Sequence, residues 1–267
     1  MFKQIKRYLH IYALFVKNSV MSEMEYRANF IASIFVELAY FFIKVIYVMI
    51  IYNANVEING IQSDTTPLFM GTYMFMTGVY CSLFLPNFLS IPGYIYNGQL
   101  DMLITKPVSL KFIVTLRRFG LGFSLPNLIG GIALIIWGWS NSGVSCSIGK
   151  LLGFVAFIVI GTLLCYFVFI LPQLLSFWIV KNDGIVAVTF SVWDLNQMPM
   201  DIYGKYIRFF GIYLLPIFVV ANFGPQFVLG RLTPWEIIWS VLSVVIFGLL
   251  SQFVWSRAMK KYTSVNN

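Results

Sequence analysis

The sequence predicts an all-α polytopic membrane protein with six membrane elements. Hydrophobic residues make up 59% of the 267 residues and charged residues only 10%, against about a quarter charged in soluble domains. Apolar runs of about 20 residues, long enough to cross a bilayer, recur along the whole chain. The net charge of +8 comes from Lys and Arg at the ends of these runs. It therefore indicates topology and argues against nucleic-acid binding.

The chemistry of a catalytic or metal site is missing from the sequence. The three cysteines, Cys81, Cys146 and Cys165, are scattered and odd in number, so they indicate no disulfide framework. The single histidine, His10, leaves no ligand set for zinc. No Ser/His/Asp set, Cys/His set or phosphate loop can be assembled. We therefore expect no enzyme activity and no cofactor bound by this chain.

Residues 1–28 are predicted to form an amphipathic helix that lies in the membrane interface. Apolar side chains recur at steps of three and four residues, and basic side chains lie away from that stripe. The apolar positions are Phe2, Ile5, Leu9, Ala13, Val16 and Val20. Such a helix places its Lys and Arg side chains near anionic lipid. The alternative is a soluble helix that packs on a partner.

A single transmembrane domain is predicted over 29–256, and its first span, Asn29–Tyr52, holds Glu37 and Lys44. These two side chains share a helix face but lie about 10 Å apart along the axis, too far for a direct ion pair. Ionised groups inside a membrane usually face the bundle interior or a watery cavity. They therefore mark a substrate path, or Glu37 is paired inside the bundle or a dimer interface while Lys44 snorkels.

The next segments alternate between the two sides of the membrane. The loop at 53–66 contains no Lys or Arg and is expected outside. Pro67–Ile91 then returns to the cytosol, and a third span from about Phe119 to Trp139 leads out again. Glycines in this third span predict close helix approach. A Gly/Ser-rich external loop at 140–149 precedes a fourth apolar run, Leu151–Val180.

After a turn at Lys181–Gly184, two arrangements fit the pattern. One has a short fifth span at about 185–198 and a re-entrant hairpin at about 207–230. The other leaves 184–206 in the cytosol and makes about 209–230 the fifth span. The distribution of Lys and Arg mildly favours the second arrangement. The two prolines inside the apolar run, Pro216 and Pro225, favour the first, because a broken element must be buried against protein.

The last span is Pro234–Trp255, and basic residues follow it in a cytosolic tail at 257–267. Both termini are cytosolic in either arrangement. The longest polar interruption in the middle of the chain is Pro92–Ser109, which lies between the second and third spans. It carries a short amphipathic pattern closed by Lys106-Pro107 and is too long for a bare turn.

These features together resemble a known family. The stretch Gly98-Gln-Leu-Asp-Met-Leu-Ile-Thr-Lys-Pro107 follows the second span, and Asn196-Gln-Met-Pro199, Leu215-Pro216 and Phe223-Gly-Pro225 precede the last. This order resembles the permease subunits of type-2 ABC exporters, in a short branch with a G-x-L-D-x-L-L-x-K/R-P signature. The resemblance covers essentially the whole chain. It departs at Pro199–Tyr203, where a more regular Tyr-Pro element is expected.

The resemblance implies a half-transporter with six transmembrane helices. It implies pairing with an identical or sister permease and with a cytosolic ABC ATPase dimer that binds ATP and Mg. A coupling helix at about 93–109 would dock on the ATPase. A re-entrant segment at about 200–230, marked by Pro199, Tyr203, Pro216 and Pro225, would lie near the outer gate. This implication favours the first arrangement.

The coupling residues implied by the resemblance are Gly98, Leu100, Asp101, Met102, Leu103, Lys106 and Pro107. Leu100, Met102 or Leu103 would fill a groove of the ATPase. Asp101 and Lys106 would make polar contacts at its rim. Pro107 would end the helix.

The expected function is ATP-driven export of an amphipathic substrate, such as a peptide, a lipid-like compound or an antibiotic. The expected location is the plasma membrane of a bacterium. One alternative is an ion- or proton-coupled secondary carrier that works alone, with Glu37 as its coupling group; the lack of an internal repeat argues against it. Another is a membrane scaffold or immunity protein with no transport cycle.

Overall fold

The computed structural model describes residues 2–54, 63–179 and 183–262, and its regular structure over these ranges is helical. Most of the predicted external loop at 53–66 lies outside the described residues. The start of the predicted turn at Lys181–Gly184 and the end of the tail at 257–267 also lie outside them.

Two long helices open the chain and meet at Tyr26. They are α1 (Phe2–Glu25) and α2 (Arg27–Ala54). Twelve further helices follow within the described residues: α3 (Thr66–Leu83), α4 (Leu85–Phe88), α5 (Ile91–Tyr96), α6 (Gln99–Ile104), α7 (Leu110–Leu116), α8 (Leu125–Asn141), α9 (Ile148–Leu174), α10 (Asp183–Asp194), α11 (Lys205–Phe209), α12 (Ile217–Ala221), α13 (Phe223–Val228) and α14 (Pro234–Lys261).

Three helical stretches in the described part of the chain are long and apolar enough to cross a membrane: Arg27–Asn53, Ile148–Phe177 and Pro234–Lys261. A fourth span results if Ser63–Leu83 and Leu85–Tyr96, which bend by 45° at their junction, are counted as one. The chain is therefore a polytopic helical membrane protein. The count of six spans stays a prediction, because α8 has 17 residues and α10 only 12.

Helices α3 and α8 pack with their backbones almost in contact. A Cβ atom added at Gly131 would lie 2.5 Å from the backbone nitrogen of Phe75, and one added at Gly71 would lie 2.6 Å from that of Ile135. Only glycine permits this separation at either position. The close approach predicted from the glycines of the third span is confirmed.

Helix α8, which corresponds to the third predicted span, begins later than predicted, at Leu125 instead of about Phe119. The backbone N–H groups of Leu121 and Gly122 donate to the carboxylate of Glu23 in α1. This side chain stabilises a turn ahead of α8 and takes up donors that a longer helix would have used.

Helix α10 is attached to the rest of the protein by the aromatic packing of Trp193. Trp193 stacks on Tyr80 of α3 with ring centres 4.8 Å apart and meets Phe169 of α9 edge-on at 5.2 Å.

After α10 the chain is repeatedly broken: a π turn at Phe210–Leu214 ends before Pro216, and Asn222 separates α12 from α13. A short helix therefore precedes a broken element here, and the choice between the two predicted arrangements stays open. The side of the membrane on which it lies stays a prediction.

Candidate functional site

The segment expected to be one coupling helix at about 93–109 consists of two short helices that meet at Gly98. Gly98 has φ = 64°, in the left-handed region, and precedes the first residue of α6. A residue with a side chain would be strained there. The prediction of one continuous helix was therefore wrong: α5 and α6 form a corner, and α6 ends at Ile104, before Pro107.

The two leucines of the signature point into the protein's own core. Leu100 is 1% exposed and Leu103 is 7% exposed, whereas Met102 is 65% exposed. Leu100 and Leu103 therefore cannot fill a groove on another protein in this conformation, because they anchor α6 to the rest of the chain. Of the three apolar side chains named for this contact, Met102 is the available one, with Ile104 (47% exposed) beside it.

Asp101 is held by the far end of the chain. The phenolic oxygen of Tyr262, the residue that follows α14, donates a hydrogen bond to Asp101 Oδ1 at 3.0 Å. The Tyr262 ring also meets Phe177 edge-on, 6.1 Å between centres. Burial raises the pKa of Tyr262 to about 12, assisted by the hydrogen bond and the negative charge of Asp101. Helix α6 and the end of α14 are thus joined by a directed contact.

Helix α1 contacts the stretch that follows α6. The guanidinium of Arg7 donates to the carbonyl oxygen of Pro107 at 2.7 Å, and the backbone N–H of Ser109 donates to the Tyr8 hydroxyl at 3.2 Å. The Tyr8 ring packs edge-on against Phe112 of α7 at 4.9 Å. One face of α1 therefore packs on its own chain. Lys106 is exposed beside these contacts.

Glu37 and Lys44 of α2 have separate partners. Asn127 of α8 donates from Nδ2 to Glu37 Oε1 at 3.0 Å. The ammonium group of Lys44 lies 5.3 Å from the ring centre of Tyr73 in α3. No ion pair joins the two side chains in the described structure, as their spacing predicts. The contact with Asn127 is the kind of bundle-interior partner that the structural alternative requires for Glu37.

The four residues expected to mark the re-entrant segment lie at its breaks and contacts. Pro199 precedes a turn at Met200–Ile202, and Pro216 separates the π turn from α12. Tyr203 stacks on Phe218 with ring centres 5.4 Å apart and donates to the carbonyl of Leu195. Pro225 lies in the first turn of α13.

A polar cluster ties this broken segment to the beginning of α14, and the sequence analysis missed it. Arg208 pairs with Asp201 at 3.0 Å and with Glu236 at 3.8 Å. Gln226, 1% exposed, donates to the same Asp201 carboxylate. Glu236 also forms a capping box with Thr233 at the start of α14. The available sequence signal was the pattern Thr233-x-x-Glu236 before an apolar run.

A second buried amide supports the same segment. The side-chain oxygen of Asn222, 1% exposed, accepts from the backbone N–H of Met200 at 2.8 Å, and its Nδ2 donates to Asn196 Oδ1 at 3.3 Å. These bonds close the segment from Asn196 to Asn222 into one unit. No group of His, Cys, Asp and Glu that could hold a metal occurs among the described residues.

The apolar helices, the α5–α6 corner and the broken segment before α14 belong to a polytopic membrane protein. A family model described as ABC-2 family transporter protein matches residues 37–266. The chain belongs to this family and is a permease component of an ABC transporter in a membrane. Searches of the curated proteins and of the solved structures gave no match.

Proposed function

We propose that the chain is the membrane half of an ATP-driven exporter for an amphipathic substrate. It would work with a second permease and a cytosolic ABC ATPase dimer that binds ATP and Mg, and both of its termini would lie in the cytosol of a bacterium. The observation that carries the proposal is the α5–α6 corner, where Met102 is exposed on a short helix that is otherwise fixed to the protein.

Because α6 is anchored in the core by Leu100 and Leu103, it can transmit a movement of the ATPase to the permease. A movement imposed on an exposed, loosely held loop would be lost, whereas a movement imposed on Met102 reaches Leu100 and Leu103 directly. A conformational change driven by a partner requires different contacts in the two states. Closure of the ATPase dimer on ATP would supply this difference by displacing α6.

Helix α14 offers a route for this displacement across the membrane. It has 28 residues, which corresponds to about 42 Å. Its last turn is followed by Tyr262, bonded to Asp101 of α6, and its first turn contains Glu236, paired with Arg208. A shift of α6 would therefore act on the broken segment at 200–230, which we propose to be the outer gate.

The experiment is co-purification of the chain with a candidate cytosolic ABC ATPase. Met102→Arg should reduce the recovered ATPase about tenfold or more, since it places a charge at the centre of an apolar contact. Met24→Arg is the matched control, because Met24 is 58% exposed and lies on α1. Leu103 is unsuitable for this test, since an arginine there would be buried in the core.

Full recovery of the ATPase with Met102→Arg would refute the docking assignment. Substrate transport by the chain alone in proteoliposomes, with no ATPase present, would refute the exporter and support the secondary carrier.

A further inference from the structure

A polar pocket of about 520 Å³ lies between α1 and the α7–α8 turn, residues 117–124. Hydrogen-bonding side chains of α1 form one wall, and two neighbouring arginines of the turn lie opposite them. The lining residues are Phe15, Asn18, Ser19, Ser22, Glu23, Pro86, Arg117, Arg118, Phe119 and Gly120. A concave surface of this size with a few convergent polar groups is typical of a binding site.

Hydrogen bonds hold the α7–α8 turn in place beside α1. The backbone N–H and the carbonyl of Arg118 both bond to the side chain of Asn87, each at 2.7 Å, and Asn87 is 1% exposed. The backbone N–H of Phe119 donates to Ser19 Oγ of α1 at 3.1 Å. The two walls of the pocket are therefore already fixed relative to one another in the present conformation.

The two arginines of the pocket have donors to spare. Arg117 is exposed, and its guanidinium has neither a hydrogen bond nor an ion pair within the described part of the chain. Arg118 is also exposed. It donates from Nη1 to Ser90 Oγ at 2.7 Å, and its guanidinium lies 5.9 Å from the ring centre of Tyr94. Because a guanidinium carries five N–H donors, both side chains can bind an anion.

The one acidic side chain among the described lining residues is Glu23, and it already has partners. Its carboxylate accepts from the backbone N–H groups of Leu121 and Gly122 at 3.1 to 3.2 Å. Asn18 and Ser22 add an amide and a hydroxyl to the α1 wall. A ligand that suits this set carries negative charge and several acceptor oxygens, as a phosphate group does.

The position of the pocket identifies the source of the phosphate. Helix α2, which is long and apolar enough to cross a membrane, begins at Arg27, shortly after Glu23. Helix α8 begins at Leu125, directly after the α7–α8 turn. The pocket therefore lies where the chain enters the membrane, in the layer of the lipid headgroups. Basic pockets beside transmembrane helices bind anionic headgroups in this layer.

We propose that this pocket binds the phosphate group of an anionic phospholipid of the surrounding membrane. Arg117 and Arg118 are its cationic ligands, and Asn18 and Ser22 donate hydrogen bonds from α1. The headgroup thereby bridges α1 and the turn ahead of α8. A zwitterionic phospholipid binds more weakly, because its own cation is repelled by the two arginines.

Native mass spectrometry of the purified full chain in detergent tests the site. Phosphatidylglycerol should be retained about fivefold or more tightly than phosphatidylcholine. Arg117→Gln should weaken the retention of phosphatidylglycerol about fivefold or more, because charge-assisted hydrogen bonds are lost. Arg27→Gln is the matched control, since it removes the same charge from the same layer and Arg27 does not line the pocket. It should change the retention by less than about twofold.

An equal loss in Arg117→Gln and Arg27→Gln would overturn the proposal, because general attraction between charges would then explain the binding. Equal retention of the two lipids would also overturn it. Inorganic phosphate at the concentration of the lipid should leave phosphatidylglycerol bound; displacement would assign the pocket to a free anion instead.

A second pair of variants blocks the space without changing the charge. Phosphatidylglycerol should raise the Tm of the unaltered chain, since a ligand of the folded state stabilises it. Asn18→Trp places a large ring in the pocket and should abolish this rise. Met21→Trp is the control, because Met21 lies on the same helix, is 59% exposed and does not line the pocket.

A rise in Tm that persists in Asn18→Trp, or that disappears equally in Met21→Trp, would refute the site. No ATPase takes part in these measurements, so a failure here is distinct from a failure of the exporter proposal.

Discussion

The hydroxyl of Tyr262 donates to the carboxylate of Asp101 across 3.0 Å and joins two parts of the chain that are 161 residues apart. Asp101 lies in α6, beside the exposed Met102, and Tyr262 follows the 28-residue helix α14. Asp101 was expected to contact the ATPase. That contact stays a prediction. Asp101 Oδ1 accepts from Tyr262, just after α14 of the same chain, so a partner that binds α6 meets a helix already attached to α14.

The first prediction concerns the pH dependence of this contact. The folded chain retains the Tyr262 proton up to a pKa of about 12, whereas an unfolded tyrosine releases it near pH 10. The stabilisation is therefore complete below about pH 10 and is lost as the pH rises from about 10 to about 12. Asp101→Asn removes the negative charge and should lower the pKa of Tyr262. The pKa of Tyr262 is measured from the tyrosinate absorbance during a pH titration, in the unaltered chain and in Asp101→Asn. In each case the titration of the matching Tyr262→Phe variant is subtracted. An equal pKa of Tyr262 with and without the Asp101 charge would contradict the prediction.

The second prediction concerns the contact of α3 with α8. Gly131→Ala should lower the free energy of unfolding by about 1–3 kcal/mol, because the added Cβ meets the backbone of Phe75 and the helices must separate. Gly149→Ala is the control. A Cβ at Gly149, in the first turn of α9, meets nothing within 4 Å, so the change should be neutral or stabilise by up to about 1 kcal/mol. Denaturation in mild detergent measures both; equal effects would argue against the close packing.

The third prediction concerns the cluster at the start of α14. Arg208→Ala leaves the carboxylates of Asp201 and Glu236 without their shared cation, at side-chain exposures of 15% and 9%. The expected loss of stability is about 1–2 kcal/mol, at the low end for a broken ion pair because Arg208 itself is 40% exposed. Lys205→Ala, an exposed residue one turn away, should change stability by less than about 0.5 kcal/mol. Equal thermal shifts in the two variants would show that the cluster is not stabilising.

The long helices were predictable because hydropathy alone decides them. The apolar runs at Asn29–Tyr52, Leu151–Val180 and Pro234–Trp255 are long enough for a span, and each forms one long helix over most of its described part. The break at Gly98 was visible as a glycine, but its consequence was not. The sequence alone does not determine that the chain bends there and turns Leu100 and Leu103 inward, since the burial of a six-residue helix depends on its neighbours.

The contacts that connect distant segments were beyond sequence reasoning for a related reason. Asp101 and Tyr262, like Arg208 and Glu236, lie far apart in the sequence. Each of these side chains is compatible with many partners until the helices are placed. The late start of α8 has the same origin. It depends on Glu23, far earlier in the chain, which accepts from Leu121 and Gly122.

The fourth prediction separates a structural role of Glu37 from a role in transport. Glu37→Gln keeps a side-chain oxygen that accepts from Asn127, so export and stability should change little, within about 1 kcal/mol. Glu37→Leu removes the acceptor and leaves the amide of Asn127, 2% exposed, with only the Phe123 carbonyl. This variant should lose about 1–3 kcal/mol. Transport and thermal unfolding are measured on the same preparations. If Glu37→Gln abolished transport while the protein stayed as stable as before, the charge itself would be required, as in an ion-coupled carrier. A loss that appears only in Glu37→Leu, together with lowered stability, assigns Glu37 to the packing of α2 on α8.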